Sequence, residues 1–71
     1  MTFEWLDNFT IRTGLAGSEF FIAANKEGLL SLANHLINLA NNEFPVGYHF
    51  HLDEHNSLED SSMPLRVEKI A

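Results

Sequence analysis

Apolar and polar residues alternate at the start of the chain. Phe3, Trp5, Phe9 and Ile11 fall on odd positions, with Asp7 interrupting the series. A period of two marks one face of a strand. Two arrangements fit: one bent strand from about Phe3 to Thr13, or a short arm followed by a strand over Phe9–Thr13. Gly14-Leu15-Ala16-Gly17 then places two glycines around two small residues, which predicts a hairpin turn. Glu19 to Ala24 reads as the second strand. Its run of Phe20, Phe21, Ile22 and Ala23 is nearly continuous in apolar residues and predicts burial on both sides.

The period then changes. Asn25 suits a helix N-cap, since its side chain can accept from an orphan backbone N–H. Glu27 falls in the first turn, at the positive end of the helix dipole. At 100° per residue, Leu29, Leu32, Ala33, Leu36, Ile37 and Ala40 share one side, flanked by Leu30 and Leu39. Ser31, Asn34, Asn38, Asn41 and Asn42 share the other, with His35 near the edge of that polar arc. This predicts an amphipathic helix over Lys26–Asn42, its leucine-rich side laid on a sheet; if it packs on the face opposite His49 and His51, His35 faces away from those two. Asn41-Asn42 and Pro45 end it.

Alternation returns over Val46–Leu52. Val46, Tyr48, Phe50 and Leu52 point one way; Gly47, His49 and His51 point the other, and Asp53 continues their side. Asp53 to Pro64 reads as a polar loop containing Leu58 and Met63, and Leu65–Ile70 as the last strand. The order is ββαββ in a single domain, 1–71. The fold class is α+β: a mostly antiparallel four-stranded sheet with one amphipathic helix packed on one face. One helix covers one sheet face, yet the chain carries eight aromatic residues, Phe3, Trp5, Phe9, Phe20, Phe21, Phe44, Tyr48 and Phe50. Either some of them form an uncovered face, suited to a partner or a homodimer, or the N-terminal arm folds over and covers them.

Charge narrows the partners. Ten acidic and four basic residues give a net charge of −6. Phosphate binding needs a positive footprint, so nucleic acid is disfavoured and a basic protein surface is favoured. The same charge also serves solubility alone. The absence of cysteine rules out disulfides and fits a reducing compartment. No apolar run approaches a membrane span, and Met-Thr-Phe-Glu-Trp has neither the basic nor the apolar region of a signal peptide. The expected location is cytoplasmic.

The densest chemistry lies in Gly47-Tyr48-His49-Phe50-His51-Leu52-Asp53-Glu54-His55. Strand geometry puts His49 and His51 on one face with Cα atoms about 7 Å apart. Two imidazoles so placed can chelate zinc or iron, and Asp53 can add a carboxylate. The plainer reading is a solvated strand face that holds no metal. Ser57, Ser61 and Ser62 lie in a flexible-looking loop without a glycine elbow, and no glycine-rich phosphate cradle is present. A binding protein without catalytic residues or cofactor is therefore expected. Asp53, Glu54, Glu59 and Asp60 put four acids into eight residues, interleaved with His55 and Leu58. Such a loop suits docking of a basic surface, and it also suits a solvated connection.

Several of these segments resemble a known family. Asn25-Lys26-Glu27-Gly28-Leu29, Leu32-Ala33-Asn34-His35-Leu36, the Pro45–Asp53 strand with its G-x-H-x-H-x-D pattern, and Asn56-Ser57-Leu58-Glu59 resemble the bacterial Immunity protein 32 family. The resemblance spans roughly Asn25 to Ile70. The family comprises small proteins encoded beside polymorphic toxins, so the resemblance implies a protein that neutralises a cognate toxin by binding it. It supplies no catalytic residue. Charge, not the family, suggests Asp53, Glu54, Glu59 and Asp60 as partner contacts, and the histidine face beside that loop adds His49, His51 and His55.

Overall fold

The computed structural model describes residues 3–71. Five elements follow in the order β1 (Ile11–Ala16), β2 (Glu19–Ala24), α1 (Lys26–Leu39), β3 (His49–Leu52) and β4 (Leu65–Glu68). The α+β class and the ββαββ order are those expected. The four strands form two antiparallel hairpins, β1–β2 and β3–β4, instead of one continuous sheet. What lies between them is the β3–β4 connection. Glu59 N–H donates to the Ile11 carbonyl at 2.9 Å and Met63 N–H to the Thr13 carbonyl at 3.2 Å, along the edge of β1 that β2 leaves open. A loop stands where a neighbouring strand would have been.

The first hairpin turns later than the glycine spacing predicts. Gly14 stays inside β1, paired with Phe21. The Phe21 ring lies 3.1 Å from where a Gly14 Cβ would be, filling the space the missing side chain leaves. Ala16 pairs with Glu19, so Gly17 and Ser18 make the turn, and Gly17 takes the left-handed φ of 68°. β2 is not buried on both sides: Phe20 and Ile22 are exposed on one face. Of the two arrangements open for the N-terminus, the structure has the arm. Residues 3–10 are irregular and β1 begins at Ile11.

Helix α1 begins as expected and ends three residues early, at Leu39. Asn25 caps it by accepting from Gly28 N–H at 2.8 Å. The same side-chain oxygen accepts from Thr10 N–H at 2.9 Å, and the amide nitrogen donates to the Asn8 carbonyl at 2.8 Å. One side chain thus joins the helix start to the arm. At the other end no basic residue lies in the last turn. Lys69 Nζ supplies the cation from beyond β4, donating to the carbonyls of Asn41 at 2.9 Å and Phe44 at 2.8 Å. Charge-assisted bonds at the negative end of the dipole close the helix where Asn41-Asn42 would have extended it.

The helix is rotated from the orientation its apolar pattern predicts. Its buried residues are Gly28, Ser31, Leu32, His35 and Leu39. Leu29, Leu30, Leu36 and Ile37 are exposed, Ile37 at 70%. The cause lies in the first turn. A Cβ on Gly28 would collide with the Thr10 carbonyl oxygen and sit 3.0 Å from Ile11 and 3.1 Å from Ala24. Only glycine allows this backbone approach, so Gly28 faces the hairpin, and Leu32, His35 and Leu39 follow on the same stripe.

The core contains Ile11, Leu32, Leu39, Phe50, Leu52 and Leu58, with Trp5, Phe9, Ala24, Tyr48, Leu65 and Val67 packed around it. His35 is 0% exposed. Its ring centroid lies 4.4 Å from Trp5 and 4.8 Å from Phe3, both edge-to-face. Trp5 stacks on Phe9 at 4.4 Å, and Phe3 meets Phe50 at 5.3 Å. The arm therefore folds over His35 and Phe50, while Phe20 stays on an uncovered face. Ser31, buried beneath it, accepts from Leu6 N–H at 2.9 Å. Neither His35 ring nitrogen has a hydrogen-bond partner, and burial pushes its imidazole below the ordinary value of 6.5.

Two outcomes follow. Gly28→Ala should destabilise the domain by about 2 kcal/mol or more in urea unfolding, against the modest gain of alanine at an unhindered helix site. His35 is held neutral when folded and takes up a proton more readily when unfolded. Its contribution is therefore complete above pH 6.5 and is lost as pH falls below that value. The melting temperature should drop between pH 7.5 and 5.5, and His35→Leu should flatten that slope.

Candidate functional site

The second hairpin presents an outer face by simple alternation. Phe50 and Leu52 point into the core, whereas His49 and His51 are exposed. β3 is shorter than expected because Gly47 adopts a φ of 93° and Val46 turns out to solvent. Pairing nevertheless continues past the strand end: Gly47 N–H donates to the Lys69 carbonyl at 2.7 Å and Lys69 N–H to the Tyr48 carbonyl at 2.9 Å. β4 ends at Glu68, two residues before the expected Ile70. His49 pairs with Glu68 and His51 with Arg66. Arg66 and Glu68 are ion-paired at 3.3 Å. The signal for these two neighbours is the alternation of the last strand: with Leu65 and Val67 inward, Arg66 and Glu68 must face outward.

The two imidazoles lie edge-to-face with centroids 5.0 Å apart. His49 Nδ1 donates to the Gly47 carbonyl at 2.9 Å, which fixes its tautomer when neutral. Asp53 does not join them as a third ligand. Its Oδ1 accepts from His55 N–H at 2.8 Å, and its carbonyl takes the N–H groups of Asn56, Ser57 and Leu58. Among the described residues no group of three or more potential ligands is gathered. His35, the remaining histidine, lies inside the core.

The connection from Asp53 to Pro64 is ordered, not flexible. Asn56 Oδ1 accepts from Asp53 N–H and Asn56 Nδ2 donates to the His51 carbonyl, each at 2.9 Å. These bonds stitch the loop's first turn to the end of β3. Leu58 is buried in the core. Ser62, also buried, accepts from Thr13 N–H, and Thr13 Oγ1 donates to the Met63 carbonyl. Ser61 takes a left-handed φ of 70°, with its N–H donated to Glu54 Oε2 at 2.9 Å. The acids therefore divide. Asp53 and Glu54 are spent within the loop. Glu59 and Asp60 are exposed, and among the described residues neither carboxylate has a hydrogen bond or ion pair.

The molecule is thus a small acidic α+β domain whose distinctive feature is a rigid, acid-bearing loop clamped between two hairpins. The chain belongs to the Immunity protein 32 family, whose model matches residues 19–70. That span includes the second strand, the helix, the histidine face and the whole loop, and it gives the protein the general role of an immunity protein. No curated protein and no solved structure matches the chain. Among the described residues no helix is long and apolar enough to cross a membrane.

Removing the loop's internal bonding should be felt in the core. Asn56→Ala deletes an acceptor for Asp53 N–H and a donor to the His51 carbonyl. It is expected to cost about 1–2 kcal/mol in denaturant unfolding and to speed amide exchange at Leu58 and Glu59.

Proposed function

We propose that this protein neutralises a cognate toxin by stoichiometric binding, presenting the Glu59–Asp60 segment to a basic surface on the toxin. His49, His51 and His55 extend the proposed contact. The observation that carries this reading is the pair of exposed carboxylates, without a partner among the described residues, on a loop anchored on either side by buried Leu58 and Ser62. Two free anions on a locked backbone lose little entropy on binding, and a net charge of −6 steers a cationic partner toward them. Family membership supplies the biological class and electrostatics supplies the surface. Asp53 and Glu54, by contrast, shape the loop and reach the toxin only through it.

Co-purification with the product of the neighbouring gene, and rescue of cells expressing it, are the direct tests. Glu59→Lys/Asp60→Lys should weaken the complex at least tenfold and flatten its salt dependence, with melting temperature little changed. Absence of both binding and rescue by the unaltered chain would overturn the role. Unchanged affinity in the double variant would overturn the surface.

A further inference from the structure

The rotation of α1 leaves an apolar face with no partner inside the chain. Leu29, Leu30, Leu36 and Ile37 are exposed, and Ala33 and Ala40 lie on the same side and are exposed as well. These residues are arranged symmetrically. Leu29 and Leu30 stand four and three residues before Ala33; Leu36 and Ile37 stand three and four after it. An antiparallel two-fold pairing centred on Ala33 sets Leu29 against Ile37 and Leu30 against Leu36 of a second copy. The smallest side chain falls at the point of closest approach. Such a face is complementary to itself, as an isologous interface requires.

We propose that α1 pairs with α1 of a second copy, antiparallel, about a two-fold axis at Ala33. Charge favours this occupant. The chain carries −6, so any acid-bearing surface repels its own copy. The centre of this face carries no acid: Glu27, the only acid on the helix, lies on its flank, Glu4 of the arm lies beside Leu30 at its edge, and Lys26 stands at its N-terminal end. A cationic toxin is drawn to the carboxylates elsewhere. Shape also favours it. Beside the C-terminal end of the helix, Leu36, Leu39, Ala40, Lys69, Ile70 and Ala71 line a groove. The antiparallel pairing places the partner's Leu29 and Leu30 end over that groove. Ile70, 81% exposed, extends the apolar surface there. Antiparallel helix dipoles add a small favourable term.

The pairing is independent of toxin binding and is tested on the purified protein alone. Sedimentation or light scattering should show the mass rising from 8.0 kDa toward twice that value across the micromolar range. Added salt should strengthen association by screening the like net charges, the opposite of its effect on a toxin complex. Ile37→Glu should hold the mass at that of the monomer, with an unchanged circular dichroism spectrum, since the side chain is exposed in the folded chain. The natural chain has no cysteine, so introduced thiols report geometry directly. Ala33→Cys should form a disulfide dimer under mild oxidation, because the axis brings the two Cα atoms within disulfide reach. Lys26→Cys should not, its Cα atoms lying roughly 20 Å apart across the axis at 1.5 Å rise per residue. A mass that stays monomeric through the high micromolar range overturns the proposal. So does cross-linking of Lys26→Cys as fast as that of Ala33→Cys. A monomeric chain that loses toxin capture on Ile37→Glu would assign the face to the toxin instead.

Discussion

Helix and first hairpin meet at one point where there is no room for a side chain. Gly28 lies against the Thr10 carbonyl, and a methyl group there would force the two elements apart. Asn25, three residues earlier, fixes the same junction through hydrogen bonds to the arm and to the helix start. Together they determine the rotation of α1 about its axis. The rest of the packing follows from that rotation: which stripe enters the core, where the arm can lie, and which side chains face water.

The buried stripe is unusual in its chemistry. It places a serine and a histidine inward and most of the helix's leucines outward. The arm makes this tolerable. Ser31 is satisfied by Leu6 N–H, and His35 packs as one ring in a group of aromatics, Phe3, Trp5, Phe9 and Phe50. A neutral imidazole can serve there as a flat, polarisable filler, but its unpartnered nitrogens make the core sensitive to protonation. The arm and the helix thus depend on each other. Without the arm, His35 and Ser31 would be open to solvent; without those two residues, the arm would lose the Leu6 hydrogen bond and the His35 ring contacts.

Much of the fold is legible in the sequence because period and capping are local signals. The second strand, the Asn25 cap and the alternation around His49 and His51 all follow from nearest neighbours in the chain. The helix orientation is not legible in this way, because a 3.6-residue period implies that a helix buries its most apolar side. Here a steric constraint on one glycine outweighs that preference, and Gly28 carries the signal only to a reader who asks why glycine stands in a first helical turn. The order of the loop is hidden for a related reason. Its polar composition suggests solvent, yet the polar side chains of Asp53, Asn56 and Ser62 are engaged with backbone amides and carbonyls, many residues apart in the case of Ser62 and Thr13. Charge alone marks Glu59 and Asp60 as contact candidates together with Asp53 and Glu54. Only the structure separates the free carboxylates from the bonded ones.

The loop that closes the open edge of β1 has a further consequence for chain length. Its bonds to Ile11 and Thr13 come from Glu59 and Met63. Four residue steps on one side of that pairing are matched to two on the other, with Ser61 absorbing the excess in its left-handed conformation. Connections between strands usually vary freely in length among related proteins. This one behaves as a strand with a built-in bulge, so losing one residue between Glu59 and Met63 would shift Ser62 out of the core and break the register with β1. The Gly17–Ser18 turn, which only joins Ala16 to Glu19, carries no such constraint.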